Sequence, residues 1–273
     1  MAIITITKAS FSGAKKISKS LAARLKYPCM GRRELFARAS EDFDFPEKEL
    51  VEAVEEPAKI WNQNREKQSA NYNLIRATFL KRCSEENGNL IYHGHAGPEF
   101  VRRIPHALRI LFVADMEHRI EEAMKRNSLN RDQAIELIHK IDRKVTKWSQ
   151  QMHTVNWRDF SFYDMVFHIG RLSAESAEEA VVGIIESGGF KLTEDSKKAF
   201  DDELLGSIVW SKLTNDEQTS SSIVETIAEQ GCVTISGVAR SKEQKEAITS
   251  LTASIKGVKS VQNKVGIGAI WRS

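Results

Sequence analysis

Residues 4–25 read ITITKASFSGAKKISKSLAARL, and this segment constrains the fold more than any other part of the chain. The alternating apolar residues at its start predict a β-strand, and the small residues that follow predict a turn. Beyond two lysines, the spacing of the apolar residues predicts an amphipathic helix over 17–25. A strand that leads directly into a helix is typical of an α/β fold.

Predicted strands and helices follow one another in the same way through the first two thirds of the chain. Further strands are predicted over residues 89–93, 107–114 and 164–169. Further helical patterns cover residues 46–54, 72–85, 117–125, 131–148 and 174–187. Strands that alternate with helices indicate a parallel sheet with helices on both faces.

The pattern changes after Gly188 and Gly189, which predict a helix stop followed by a linker. Residues 195–213 read as a helix, two strands follow around Gly231, residues 242–255 read as a second helix, and a strand closes the segment. This αββαβ order predicts a small α+β domain. We therefore expect one domain over residues 1–188, a linker over 189–194 and a second domain over 195–268.

Composition limits the classes of partner. The net charge is only +3, and residues 191–273 carry 11 basic and 11 acidic side chains, so the positive excess lies in residues 1–190. That excess is too small to indicate nucleic acid as a partner and fits a local anion pocket better. No apolar run is long enough to predict a transmembrane segment, and the first residues do not resemble a signal peptide.

Cysteine and histidine spacing indicates neither disulfides nor a metal site. Cys29, Cys83 and Cys232 are odd in number and far apart, so we expect no disulfide framework and a cytoplasmic protein. His93 and His95 would share one face of a strand, but no nearby Cys or Asp completes a metal site. A glycine turn at a strand end is the expected structure there.

The turn after the first strand can be compared with the phosphate-binding pattern G-x-x-x-x-G-K-[ST]. If Lys15 takes the lysine position, Ala9 and Ala14 replace the glycines and Lys16 replaces the Ser/Thr that usually binds Mg²⁺. Gly13 remains free to adopt positive φ. Small residues permit close backbone approach to phosphate, and the following helix supplies its dipole. Either a variant nucleotide site or an ordinary turn with two solvated lysines fits these residues.

The order of several segments favours the nucleotide site. FSGAKKISKSLAARLKYPCMGRREL, LIYHGHAGPEFVRRIPHALRILFVADMEHRI, NRDQAIELIHKIDRKVTKW and WRDFSFYDMVFHIGRLS together resemble the cytidylate kinase-like family of P-loop nucleoside monophosphate kinases. The resemblance covers residues 2–187. It implies a P-loop NTPase-type sheet, ATP and Mg²⁺ as cofactors, and phosphoryl transfer from ATP to a CMP-like nucleoside monophosphate.

The resemblance also implies roles for individual residues. The donor phosphates would be bound by Ser12, Gly13, Ala14, Lys15 and Lys16. The catalytic cations would be Lys15, Arg119 and Arg143. The acceptor would be bound by Arg32, Arg33, Gly94, His95, Asp142 and Lys147. Two positions depart from the family pattern, because Val145 stands where a lid arginine is expected and His95 stands where many relatives carry arginine.

The C-terminal segment GCVTISGVARSKEQKEAITSLTASIKGVKSVQNKV resembles a BON domain over residues 195–266. That resemblance implies a binding module for a phospholipid surface or a protein partner. Two hypotheses for the whole chain follow. In the first it is a nucleoside monophosphate kinase that carries a binding module. In the second it is a catalytically weak or inactive nucleotide sensor that the BON domain docks elsewhere.

Overall fold

A computed structural model describes residues 2–55, 63–153 and 157–268, with backbone only for 52–55, 63–70, 148 and 150–153. The chain divides into two compact units. The first contains residues 2–35 and 82–192, and the second contains residues 36–54, 63–81 and 193–268. The domain boundaries expected from the sequence remain predictions, because the second unit includes helices from residues 36–81 as well as the C-terminal segment.

The first unit is built on a five-stranded parallel sheet of order β2-β3-β1-β4-β5. The strands are β1 (Ile3–Lys8), β2 (Cys29–Gly31), β3 (Leu90–His93), β4 (Ala107–Ala114) and β5 (Met165–Ile169). The predicted parallel α/β sheet is confirmed. β2 was not predicted, since an edge strand of three residues is too short to show an apolar alternation.

Helices connect these strands and continue beyond them. They are α1 (Ala14–Leu25), α2 (Arg32–Phe43), α3 (Glu47–Glu55), α4 (Gln63–Glu85), α5 (Gly97–Phe100), α6 (Met116–Asn127), α7 (Arg131–His153) and α8 (Ala174–Glu186). A 3-10 turn, Phe160–Phe162, precedes β5. Within the described residues, no helix is long and apolar enough to cross a membrane.

β1 is buried on both faces, which explains its almost continuous apolar sequence. Ile4 and Ile6 pack in one core cluster with Ile17 and Leu21 of α1, and α8 contributes to the same cluster. Burying each of these side chains stabilises the fold by about 1.5–3 kcal/mol. On the opposite face Thr5 is fully buried, and α5 packs so closely against it that only glycine fits at position 97. This packing fixes the carboxyl end of β1, where the predicted loop begins.

The second unit contains a separate mixed sheet, consistent with the predicted α+β module. Its elements are α9 (Glu194–Asn215), β6 (Ile223–Glu229), β7 (Cys232–Ala239), α10 (Lys242–Ser254), β8 (Ser260–Asn263) and β9 (Gly266–Ile267). β6 pairs antiparallel with β7, whereas β8 and β9 pair parallel with it. The predicted closing strand is split in two, because Asn263 Oδ1 accepts a hydrogen bond from the backbone N–H of Val265 (2.9 Å) and forms a turn.

In this unit Arg76 of α4 contacts α9. Arg76 Nη1 donates to Ser207 Oγ (2.7 Å), and the guanidinium of Arg76 forms an ion pair with Glu203. Thr193 caps α9 in a capping box with Ser196. Residues from both segments of the second unit are therefore held together by charge-assisted hydrogen bonds.

Candidate active site

The turn between β1 and α1 leaves the start of α1 without a side-chain cap. Gly13 is the N-cap residue and has φ +80°, a conformation that favours glycine. A Cβ at Gly13 would meet no heavy atom within 4 Å, so the space beside the turn is open. The first N–H groups of a helix carry partial positive charge and bind anions when no side chain occupies them. The backbone of the loop therefore suits a phosphate group.

Ser12 is a second group of the loop that lacks a polar contact. Its Oγ is buried and has no hydrogen-bond partner among the described residues. A buried hydroxyl without a partner costs about 1–3 kcal/mol. Ser12, Gly13 and Ala14 thus lie together at the predicted donor site, and the helix begins at Ala14 rather than at Ile17 because Gly13 serves as its N-cap.

Two lysines of the predicted site follow directly, and a third lysine was not predicted. Lys15 and Lys16 are exposed on the first turn of α1. Lys8, the last residue of β1, is half-buried, and its burial together with the charges of Lys15 and Arg32 lowers its pKa to about 8. Lys8 was missed because a lysine at the end of a strand normally indicates that the apolar alternation has stopped and the chain has reached solvent.

The histidines at the end of β3 are neutral at physiological pH. Burial and the charge of Lys8 lower the pKa of both His93 and His95 to about 4. The backbone N–H of Gly94 donates to Ile6 O (3.0 Å), which places this turn beside the end of β1. The ring of His95 meets Trp157 edge-on at 5.5 Å between centroids. His95 can therefore offer a ring hydrogen bond to an acceptor, but it does not replace the positive charge of an arginine.

The two arginines predicted on the acceptor side both have exposed side chains on the first turn of α2. The charge of Arg32 contributes to the lowered pKa of both Lys8 and His95. Arg33 is not among the charges that shift the pKa of either residue. Arg32 therefore acts on the electrostatics of the predicted site.

A buried carboxylate ties the loop to the helices that follow β4. Asp142 Oδ1 accepts hydrogen bonds from Ser10 Oγ (3.0 Å) and Arg119 Nη2 (2.7 Å). Arg119 Nε also donates to the carbonyl oxygen of Ser10 (2.8 Å). Asp142 Oδ2 accepts from Arg158 Nη2 (2.7 Å). The predicted residues Arg119 and Asp142 thus form one network with the loop.

A cleft of about 360 Å³ opens beside this network. It is lined by Met116, Arg119, His139, Asp142, Arg143, Thr146, Lys147 and Arg158. Arg143 and Lys147, predicted from the sequence, therefore lie in the same cleft as Arg119. Basic side chains outnumber the single carboxylate, so the cleft suits an anionic ligand.

Arg158 was missed by the sequence reasoning. It follows Trp157, and its guanidinium lies 5.0 Å from the centre of the Trp157 ring. The adjacent Trp-Arg pair in WRDF could have indicated an arginine held by cation–π stacking. Val145, at the place of the expected lid arginine, packs beside Trp157 in a small apolar cluster and does not line the cleft.

A parallel sheet of order β2-β3-β1-β4-β5 with an uncapped helix start directly after its central strand β1 defines a kinase-like nucleotide-binding fold. The model of the cytidylate kinase-like family matches residues 3–171, and the chain belongs to this family. The BON domain model matches residues 201–269. Both resemblances expected from the sequence are confirmed.

Individual proteins are similar to this chain at low identity. The cytidylate kinase of Methanothermobacter thermautotrophicus is 22% identical over 175 residues, which cover 64% of this chain and 99% of that protein. The crystal structure of an uncharacterized protein from Eubacterium ventriosum has a TM-score of 0.52 and 19% identity, covering 68% of this chain and 98% of the other. Shikimate kinase from Bacteroides thetaiotaomicron has a TM-score of 0.40 and 16% identity, covering 68% of this chain and 98% of the other.

Proposed function

We propose that the chain is an ATP-dependent phosphotransferase that transfers a phosphoryl group to a nucleoside monophosphate of the CMP class. The observation that carries this proposal is the uncapped start of α1 with Lys15 on its first turn. Neither an ion pair nor a hydrogen bond joins the Lys15 side chain to any described residue, so its charge is available to a ligand. Membership of the cytidylate kinase-like family supports the choice of acceptor.

The residues of the loop fit ATP. The N–H groups at the start of α1 and the unsatisfied Ser12 hydroxyl would bind phosphate oxygens, and Lys15 would neutralise part of their charge. ATP would supply the phosphoryl group. Catalysis of such a transfer rests mainly on positioning and on stabilisation of charge, so these contacts match what the reaction needs.

The residues do not offer Mg²⁺ a comparable site. Lys16 occupies the position of the usual hydroxyl ligand, and the described residues contain no group of three or more His, Cys, Asp or Glu side chains suited to a metal. Mg²⁺ bound to nucleotides commonly keeps several waters and uses phosphate oxygens as ligands. We therefore assign Mg²⁺ to the nucleotide and to no protein side chain.

The acceptor needs no general base, because the second pKa of a phosphate monoester is about 6. Positive charge is what the protein must supply, and the cleft supplies it through Arg143, Lys147 and Arg158. Arg119 already pairs with Asp142 and contributes its remaining hydrogen-bonding capacity to the same cleft. In this proposal Arg32, Gly94 and His95 face the acceptor from the side of β3.

A second candidate is a nucleotide sensor with little or no turnover. The specific observation in its favour is that Arg119 is held by Asp142 and Ser10, while Val145 supplies no charge from the lid helix. An arginine that stabilises the transition state is worth about 10³–10⁵ in rate. In this case the BON module would dock the sensor to a phospholipid surface or to a partner protein.

A coupled ADP-release assay with CMP, UMP and AMP separates the two candidates. We expect turnover with a pyrimidine monophosphate that is abolished in Lys15→Met and unchanged in Lys191→Met, an exposed lysine of the first unit. Saturable binding of ATP by calorimetry with no ADP release would favour the sensor. A chain whose melting temperature does not change with Mg·ATP would contradict both candidates.

A further inference from the structure

Lys8 combines an unusual position with an unusual charge environment. It is the last residue of the central strand β1. Ile4 and Ile6 lie four and two residues before it, on the same face of the strand, and they pack against α1. The side chain of Lys8 therefore lies on the α1 side of the sheet, at the end from which the loop starts. Lysines are almost never buried unless they are paired. The half-buried side chain of Lys8 forms neither a hydrogen bond nor an ion pair with any described residue.

Four titratable groups shift the pKa of Lys8, and no carboxylate is among them. They are Lys15 of α1, Arg126 of α6, Arg32 of α2 and the thiol of Cys29 on β2. The rings of His93 and His95, at the end of the neighbouring strand β3, are neutral and supply no counter-charge. Partial desolvation without a counter-ion of its own destabilises the charged form of Lys8 in the ligand-free chain.

Unsatisfied polar atoms lie at the same end of the sheet. Ser12 Oγ of the loop and His95 Nδ1 of the turn after β3 are buried, and neither has a hydrogen-bond partner among the described residues. A polar ligand that satisfied them would recover part of the desolvation cost. Together with Lys8 and Lys15, whose side chains form no ion pair with any described residue, these atoms indicate an anion that accepts hydrogen bonds.

We propose that Lys8 is a phosphate-binding residue of this site, which together with Lys15 holds a phosphate group over the end of β1. The proposal rests on the proposed nucleotide-binding function. Nothing in the G-x-x-x-x-G-K-[ST] pattern assigns a role to the residue at the end of the strand. In this chain Lys16 replaces the usual hydroxyl residue, and the neutral His95 stands where an arginine is expected. Lys8 supplies a second cation beside Lys15.

A phosphate bound beside Lys8 favours its charged form and therefore raises its pKa above about 8. At a pH between the pKa of Lys8 in the free chain and its pKa in the phosphate complex, binding is accompanied by uptake of a proton at Lys8. The contribution of Lys8 to phosphate affinity is then fully present below pH 7 and falls as the pH rises through about 8. This proton uptake at Lys8 is absent in Lys8→Met and present in Lys191→Met.

The test uses the full chain, with ATP and inorganic tripolyphosphate as probes, in calorimetry without Mg²⁺. We expect Lys8→Met to weaken binding of both probes by about 10- to 100-fold, as for loss of a hydrogen bond to a charged group. Lys8→Arg should keep most of the affinity, and Lys191→Met should bind like the wild type. In the wild-type chain, limited acetylation followed by mass spectrometry should show that tripolyphosphate protects Lys8 and not Lys191.

Two results would overturn the proposal in distinguishable ways. If the wild type binds tripolyphosphate and Lys15→Met does not, but Lys8→Met binds normally and Lys8 is acetylated at the same rate with the probe, only the role of Lys8 is wrong. If the wild type binds neither probe, the proposed function fails together with this inference. Acetylation of the wild-type chain keeps the test valid even if Lys8→Met fails to fold.

Discussion

Arg119 Nη2 lies 2.7 Å from Asp142 Oδ1, and only 8% and 12% of these two side chains are exposed. The pair joins α6 to α7, and the same carboxylate accepts hydrogen bonds from Ser10 of the loop and from Arg158. One acidic side chain thus pairs with both arginines and with the loop. Asp142 therefore holds the loop and the two cleft-lining arginines in one network.

The first prediction concerns Asp142→Ala. Removing the carboxylate leaves the Arg119 guanidinium buried without a counter-ion, which costs about 3–5 kcal/mol. We expect a loss of this order in the free energy of unfolding, measured by urea denaturation. The matched control is Glu117→Ala, because Glu117 pairs with Arg131 at 2.6 Å in an exposed ion pair. Equal effects of the two substitutions would contradict the central role of Asp142.

The second prediction concerns the stability of the folded chain at acidic pH. The pKa of His93 and His95 is about 4 in the folded chain, against 6.5 ordinarily, because burial disfavours their charged form. Between pH 6.5 and 4 the unfolded chain binds protons that the folded chain excludes, so stability falls as the pH falls through this window. Urea denaturation at several pH values measures the slope. His93→Gln combined with His95→Gln should flatten it, and an unchanged slope would show that other groups cause the acid sensitivity.

The sheet of the first unit could be predicted because its central strands are buried on both faces. Such strands read as nearly continuous apolar runs, as in residues 3–7 and 107–114. Most helices were predicted with ends that differ by a few residues, since caps depend on backbone conformation. In contrast, α2 was not predicted, and α4 begins nine residues before its predicted start at residue 72. Gly13 illustrates this, because its positive φ starts α1 before the apolar periodicity begins. The grouping of α3 and most of α4 with the C-terminal segment depends on tertiary packing and left no sequence signal.

The candidate site was predicted less completely than the fold. The sequence indicated the loop and the lid cations, because the order of the segments resembled one family. It did not indicate that Asp142 already pairs with Arg119, since these residues lie on different helices. It also missed Lys8, whose importance depends on the cations around it rather than on its neighbours in sequence. Charges brought together from separate elements are visible only in the folded chain.

The third prediction concerns the ion pair between Arg76 and Glu203. Both side chains are only 16% exposed, and Arg76 also donates to Ser207 Oγ. Poorly solvated charge pairs of this kind couple by about 1–3 kcal/mol. We expect that coupling from a double-mutant cycle of Arg76→Met and Glu203→Gln, measured by denaturation. The exposed pair of Lys197 and Asp201 on α9, at 2.6 Å, serves as the control and should couple more weakly.

The fourth prediction contrasts two glycines. Gly237 lies within β7 at φ +129°, and a Cβ there would lie 2.0 Å from Ile223 O on the paired strand β6. The obstacle is backbone, so it cannot move without breaking the pairing. Gly183 lies inside α8, and a Cβ there would meet no heavy atom within 4 Å. The two substitutions by alanine should therefore have opposite effects on stability.

Gly237→Ala should destabilise the C-terminal sheet by about 2 kcal/mol or more, because backbone strain of 1–3 kcal/mol adds to the steric clash. Gly183→Ala should stabilise α8 by about 0.5–1 kcal/mol, since glycine is a poor helix former and alanine the best. Hydrogen exchange read separately at the β6 and β7 amides and at the α8 amides measures each effect where it arises. Unchanged protection of β6 and β7 in Gly237→Ala would mean that the strands can separate there without cost, which contradicts the tight pairing between Val224 and Gly237.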